Sequence, residues 1–309
     1  MNIHTVEFHC RAVRPVSFPL HVEGPLLRGA IGRALRALSC TEEKETCDGC
    51  AAQCTYRFFF DSVNEGDVLT GNRNIPRPFV LRPFPRQSKN CRPGELFQFD
   101  TVIFGKGISS LPLLIEAVSE FRRFAAPENF GSFELEAVHA KSPVTGLRLP
   151  ITAQSDASRC METSFSMDDF KASDTSGVTI DFITPAIIKD KGVILEAPVF
   201  SSIIKRLRDR YSSLSSFYGS GAPDIDYAHF ADDAQRVKLV RGEGIAVHAE
   251  RVSRRSGKTQ DMSGFKGRYE FEGPVGEYIP LLSVGQYIHV GKAAAFGNGR
   301  FEVIATKSV

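Results

Sequence analysis

At 309 residues the chain is long enough for two domains that each bury a core. A hydrophobic content of 42% and a charged content of 24% are those of a globular protein and exclude disordered and membrane-embedded classes. A net charge of +2 excludes a globally basic surface, so any polyanion has to be held by a local patch of cations.

The opening MNIHTVEFHCRAV has no basic segment followed by an apolar stretch, and no run of eighteen apolar residues occurs, so the expectation is a cytoplasmic protein with no membrane contact. Alternation through Ile3, Val6 and Phe8, continued by Ala12 and Val13, predicts a first strand. In PLLRGAIGRALRAL, Leu26, Leu27, Ala30, Ile31, Ala34, Leu35 and Leu38 recur at helical spacing with Pro25 in the first turn. Arg28, Arg33 and Arg36 project from the rest of that helix.

Next comes CTEEKETCDGCAAQC, residues 40–54, which spaces Cys40, Cys47, Cys50 and Cys54 as C-x6-C-x2-C-x3-C. Four thiolates so close in sequence suit a tetrahedral zinc ion, and Gly49 permits the tight turn that C-x2-C requires. An iron–sulfur cluster is the alternative reading. Either would pin an irregular insert, which makes the role structural. Cys10, Cys91 and Cys160 read as apolar filler, and without a secretory signal the seven cysteines do not argue for a disulfide framework.

TYRFFF reads as a strand, and residues 61–93, rich in Pro, Arg and Asn, read as loop with short extended pieces. ELFQFDTVIFG predicts a strand, LPLLIEAVSEFRRF a helix opened by Pro112, and FELEAVHA another strand. The order is strand, helix, strand, strand, helix, strand. Ser, Thr, Asp and Pro concentrate in 142–177, the expected connection.

Beyond it, VTIDFI is a strand ending at Pro185, and PVFSSIIKRLRDRYSSLSSFY is a helix with Val199, Ile203, Leu207 and Tyr211 along one side. GIAVHAERVS and KGRYEFEG form paired strands, and a helical piece through Tyr278, Leu281 and Leu282 precedes the last strand. Two split βαβ modules in tandem are the economical architecture: an α+β chain with ferredoxin-like domains at 1–145 and 146–309.

Two segments carry candidate binding chemistry. RVSRRSGK, the turn between the paired strands, holds Arg251, Arg254, Arg255 and Lys258 with no acid, and Lys266 follows. HVGKAAAFGNGRFEV holds His289, Lys292 and the glycines Gly291, Gly297 and Gly299. It is neither a Walker loop, because Lys292 precedes Ala293 rather than a hydroxyl residue, nor a dinucleotide fingerprint, because a strand and not a helix follows. Such glycines imply positive φ or the close approach of another backbone. An ordinary turn before an edge strand and an RNA-contacting loop both satisfy that.

Together, LLRGAIG in the first helix, the insert ending in CTYRFFF, PRPFVLRP, the ELFQF strand, the basic hairpin and the terminal GKAAAFGNG loop resemble the CRISPR-associated RAMP endoribonucleases that process precursor crRNA. That resemblance implies two ferredoxin-like folds and repeat RNA gripped by the basic hairpin and the cleft, with Arg28, Arg251, Arg254, Arg255, Lys258 and Lys266 as RNA contacts. It places Gly291, Gly297 and Gly299 where main-chain N–H groups reach phosphate oxygens. It implies metal-independent cleavage by 2′-hydroxyl attack, leaving a 2′,3′-cyclic phosphate, with a histidine as general acid or base. The family sets its histidine in or just after the first helix. His21 at the entrance to that helix and His289 beside Lys292 are the candidates here, with Lys292 supplying charge to the phosphorane; no histidine lies between 22 and 138. A non-catalytic RNA-binding subunit of a CRISPR effector complex is the alternative. Expected partners are repeat RNA and effector-complex proteins, with the chain a monomer or homodimer.

Overall fold

A computed structural model describes residues 1–308 apart from 19, 22, 43–46, 48–49, 51–53, 63–74, 83–88, 122–130, 155–157, 224–232 and 253–258. The chain forms two compact units, Met1–Phe165 with Leu214–Gly221, and Ser166–Ser213 with Ala222–Val309.

In the first unit β1 (Ile3–Arg14) leads through β2 (Val16–Phe18) into α1 (Glu23–Ser39). Then come α2 (Thr55–Phe60), β3 (Phe79–Arg82), β4 (Lys89–Cys91), β5 (Leu96–Phe104) and α3 (Leu111–Ser119). β6 (Ser132–Lys141), β7 (Arg148–Ile151) and a short α4 (Ser158–Glu162) complete it. The antiparallel sheet runs β3-β5-β1-β6-β7, while β2 and β4 form a separate ribbon. With α1 and α3, the strands β1, β3, β5 and β6 make the strand-helix-strand-strand-helix-strand order, with β3 in the place expected for TYRFFF. β7 adds a fifth strand beside β6.

Side chains of β1 alternate across the sheet. Val6, Phe8, Cys10 and Ala12 are buried in one cluster with Leu27, Ala30, Ile31 and Leu35 of α1 and Leu114 and Val118 of α3. Phe8 stacks on Phe99 of β5 at 5.0 Å between ring centres. Cys10 and Cys160 are buried members of this cluster, as filler should be. Glu7, His9 and Arg11 occupy the intervening positions, and their side chains meet polar partners.

TYRFFF is the helix α2, not a strand. Tyr56 and Phe60, four apart, stack at 5.5 Å, Phe59 is wholly buried against Phe79, and Phe60 fills the space above Gly32 of α1. Packing on two sides outweighs the strand preference of an aromatic run.

The second unit begins with β8 (Thr175–Ala186), followed by the ribbon of β9 (Lys189–Asp190) and β10 (Val193–Ile194), and then α5 (Phe200–Tyr218). After β11 (Lys238–Val247), β12 (Glu250–Val252) and β13 (Thr259–Asp261) pair as a hairpin, and β14 (Gly264–Glu272), α6 (Ile279–Ile288) and β15 (Phe301–Ser308) follow. Its sheet order β11-β14-β8-β15 repeats the four-strand order of the first unit, so the chain is an α+β protein of two ferredoxin-like folds. β8 continues through Pro185, where the strand was expected to end. The bonding there uses the Pro185 carbonyl, which accepts from Gly299 N, so the missing proline donor costs nothing.

Candidate nucleic-acid interface

The glycine-rich segment lies between α6 and β15 in the second unit and folds back along the end of β8. Val290 N donates to Gly299 O, Lys292 N to Ile187 O, Gly299 N to Pro185 O, and the Thr184 hydroxyl to Gly297 O at 2.7 Å. Gly291, Gly297 and Gly299 all have positive φ, and so does Ala293. A Cβ on Gly299 would stand 1.8 Å from Val290 O, and one on Gly291 2.5 Å from Ile187 O. The backbone that approaches these glycines is therefore the protein's own. That corrects the expectation for Gly299, whose N–H is already spent inside the fold.

His289, at the C-terminal end of α6, has φ of +61° and is wholly buried. Its Nδ1 is 3.2 Å from the carbonyl oxygen of Asn298, so the imidazole ties the two ends of the loop together. A ring with no surface cannot exchange a proton with a bound strand, and the catalytic role expected for His289 is replaced by a structural one.

Lys292 is exposed at the rim of the same loop. Its ammonium is pushed below the usual lysine range, first by desolvation and then by Lys189, a neighbouring cation at the start of β9. Arg206 of α5 holds this corner by donating through Nε and Nη2 to the Lys189 carbonyl. Two ammonium groups crowded together are relieved by an anion, which is the electrostatic property a phosphate site needs.

In the first unit His21 sits half-buried just before α1, with φ of +70°. Arg28, half-buried on α1, packs its guanidinium over Phe60 at 4.7 Å and Phe79 at 5.8 Å. β12 and β13 pair antiparallel; Arg254, Arg255 and Lys258, which lie between them in sequence, and the side chain of Arg251 lie outside the described residues. Lys266 is half-buried on β14 opposite Ile245.

In the cysteine insert, Cys50 N donates to Cys47 O at 3.1 Å. The Cys54 sulfur caps α2 by accepting from Arg57 N at 3.4 Å. Cys47 is buried, and burial followed by the nearby Asp61 raises its thiol pKa. Among the described residues, the group of potential metal ligands drawn within 4.8 Å is a different one, Glu7, His9 and His139.

That group was not anticipated. On β1, Glu7 and His9 are two apart and share a face, and the strand register sets Glu7 directly opposite both Asp100 and His139. Lys141 Nζ donates to Glu7 Oε2 and Asp100 Oδ1, each at 3.0 Å, and Arg148 from β7 donates to Glu7 Oε1. Burial works to raise the Glu7 pKa, but bonds from His9, Lys141 and Arg148 outweigh it and take the carboxyl down to about 2. His139 is shifted below the ordinary histidine range by desolvation and then by Arg148.

Residues 1–163 match the family model AF_1859_N, described as an N-terminal domain, and residues 180–301 match that of the CRISPR-associated endoribonuclease Cas6. No curated protein sequence matches the chain. Among solved structures it is similar to the product complex of Cas6 (TTHB231), at 13% identity and a TM-score of 0.59 over 98% of this chain and 100% of that one. The product complex of Cas6 (TTHA0078) gives 17% and 0.58 over 99% and 100%. Thermus thermophilus Cas6 (TTHB231) gives 13% and 0.56 over 98% of each. At such identities the likeness is one of fold. No helix among the described residues is long and apolar enough to cross a membrane.

Proposed function

Because the chain belongs to the CRISPR-associated RAMP-type endoribonucleases, we propose that it cuts CRISPR repeat RNA in precursor transcripts, by attack of a 2′-hydroxyl on the adjacent phosphate and without a metal ion at the reacting atoms. The observation that carries this reading is the pair of ferredoxin-like folds with the Cas6 match over 180–301, the segment containing the lysine-rimmed glycine loop. His21 is the proton carrier in this reading, since His289 has no exposed surface. Lys292 and Lys189 neutralise phosphate charge on the second unit, and the arginines of the β12–β13 hairpin add to the hold on the strand.

The test is incubation with labelled repeat RNA in excess EDTA, with analysis of the product ends. Cleavage at one position, leaving a 2′,3′-cyclic phosphate, is the expected result, and His21→Ala slows it by about a hundredfold or more, the usual contribution of a general acid or base. Tight, salt-sensitive binding with no cleavage of any repeat would replace the enzyme by the non-catalytic RNA-binding subunit.

Cys40, Cys47, Cys50 and Cys54 are the ligands of a structural zinc in the same reading. The Cys50 N–H donated to the Cys47 carbonyl and the N–H donated to the Cys54 sulfur are the features that support it. Bound zinc would hold the insert as a cross-link between the end of α1 and the start of α2. A metal-content measurement in which Cys47→Ser carries one zinc per chain fewer than the unaltered protein is the expected outcome; iron with acid-labile sulfide would replace zinc by a cluster.

A further inference from the structure

A single atom, Nη2 of Arg148, lies 2.9 Å from Glu7 Oε1, 2.8 Å from His9 Nε2 and 3.1 Å from His139 Nδ1. Three potential metal-ligand atoms thus converge on one cationic centre. We propose that this is a binding site for a divalent transition-metal ion of the zinc class, with Glu7, His9 and His139 as ligands and the Arg148 guanidinium as the cation that holds the position when no metal is bound.

The hydrogen bonding of the arginine-filled state is the first argument. Nη2 carries two hydrogens but faces three acceptors. His9 Nε2 is also only 2.7 Å from Glu7 Oε1. If Nε2 carries a proton for Glu7 it has no lone pair left to accept from Arg148, and if it accepts from Arg148 it sets that lone pair against the carboxylate. Neither tautomer satisfies both neighbours. A metal ion at the focus would be met by three lone pairs and by no hydrogen.

The second argument is placement. Two ligands alternate on β1 and the third stands opposite on β6, so the backbone that carries all of them is the middle of a five-stranded sheet. Zinc bonds to nitrogen and oxygen run to about 2.0–2.2 Å, so each ligand atom would close in by roughly 1 Å. Arg148 is on the sheet's edge strand with its side chain about half exposed (47%), free to swing to solvent, whereas the Glu7 side chain is 10% exposed. Lys141 keeps Glu7 Oε2 and Asp100, which orients the carboxylate so that Oε1 faces the focus. Two imidazoles and one carboxylate are a donor set suited to such ions, and open positions would remain for water.

The experiment is titration of the intact protein with Co2+ alone, followed by optical absorption, and with Zn2+ as competitor. Nitrogen and oxygen ligation gives weak visible bands without the intense near-ultraviolet thiolate-to-cobalt absorption that the cysteines would produce, so the two sites are told apart. His9→Gln and His139→Gln each weaken the Co2+ signal by about tenfold or more, comparable to losing a supporting residue at such a site. Arg148→Ala, an exposed change that removes the competing cation, tightens binding several-fold. That opposite sign keeps the idea testable if a histidine variant misfolds. Binding unaltered in both histidine variants, unaltered or weaker binding in Arg148→Ala, or a thiolate signal alone would each overturn it.

Discussion

Gly299 and Gly146 have nearly the same φ, +68° and +72°, yet very different surroundings. A Cβ on Gly146 would meet nothing within 4 Å, and one on Gly299 would overlap the Val290 carbonyl at 1.8 Å. Left-handed backbone costs an ordinary residue about 1–2 kcal/mol. Gly146→Ala should therefore lose about that much and no more. Gly299→Ala must also move the strand entry or break the Val290–Gly299 bond, and should lose about 3 kcal/mol or more in urea unfolding. Equal losses would mean that the loop's close approach to its own chain is not what the glycine is for. The buried His289 belongs to the same local device, since its bond to Asn298 O fixes the turn that Gly299 closes.

At the scale of elements, α2 depends on what covers it. It is only six residues long, too short to persist alone, and its buried anchor is Phe59. Phe59→Ala should cost about 3–5 kcal/mol, the range for emptying a buried phenylalanine site. Circular dichroism and urea unfolding would check it, and a loss under 1 kcal/mol, the scale of an ordinary surface change, would place the helix's support elsewhere. This element also marks where the sequence stops being legible. Most of the strand-helix order could be read because each long helix carries its own 3.6-residue apolar stripe and a strand such as β1 its own alternation, whereas β3, buried at every position, carries none. TYRFFF carries no period, and its state is set by Gly32 and Phe79, residues distant in sequence. The glycine loop's position before the last strand was legible for the same local reason. That Gly291 faces Ile187 was not, because Ile187 lies more than a hundred residues earlier. The Glu7–His9–His139 group was missed on the same ground. Glu7 and His9 show the two-residue spacing of a shared face, but only the β1–β6 register brings His139 to them, and only β7 brings Arg148.

For the molecule as a whole, 38 basic and 36 acidic side chains leave +2, a field too weak to gather RNA from a distance. Affinity must then come from where the cations sit rather than how many there are, and this separates two outcomes. Lys189→Ala with Lys292→Ala brings the formal charge to zero, from 38 − 36 to 36 − 36, and so does Lys106→Ala with Lys171→Ala at two exposed positions elsewhere. If total charge governed binding, both double variants would weaken it alike. If Lys189 and Lys292 each neutralise one phosphate, only the first pair should flatten the plot of log affinity against log salt, by about 1.4, since a single-stranded contact contributes a slope of about 0.7. Filter binding of repeat RNA across a salt series measures this directly. Coincident lines for the two double variants would remove the lysine pair from the interface, and parallel lines for all three proteins would leave the β12–β13 hairpin to carry the RNA without it.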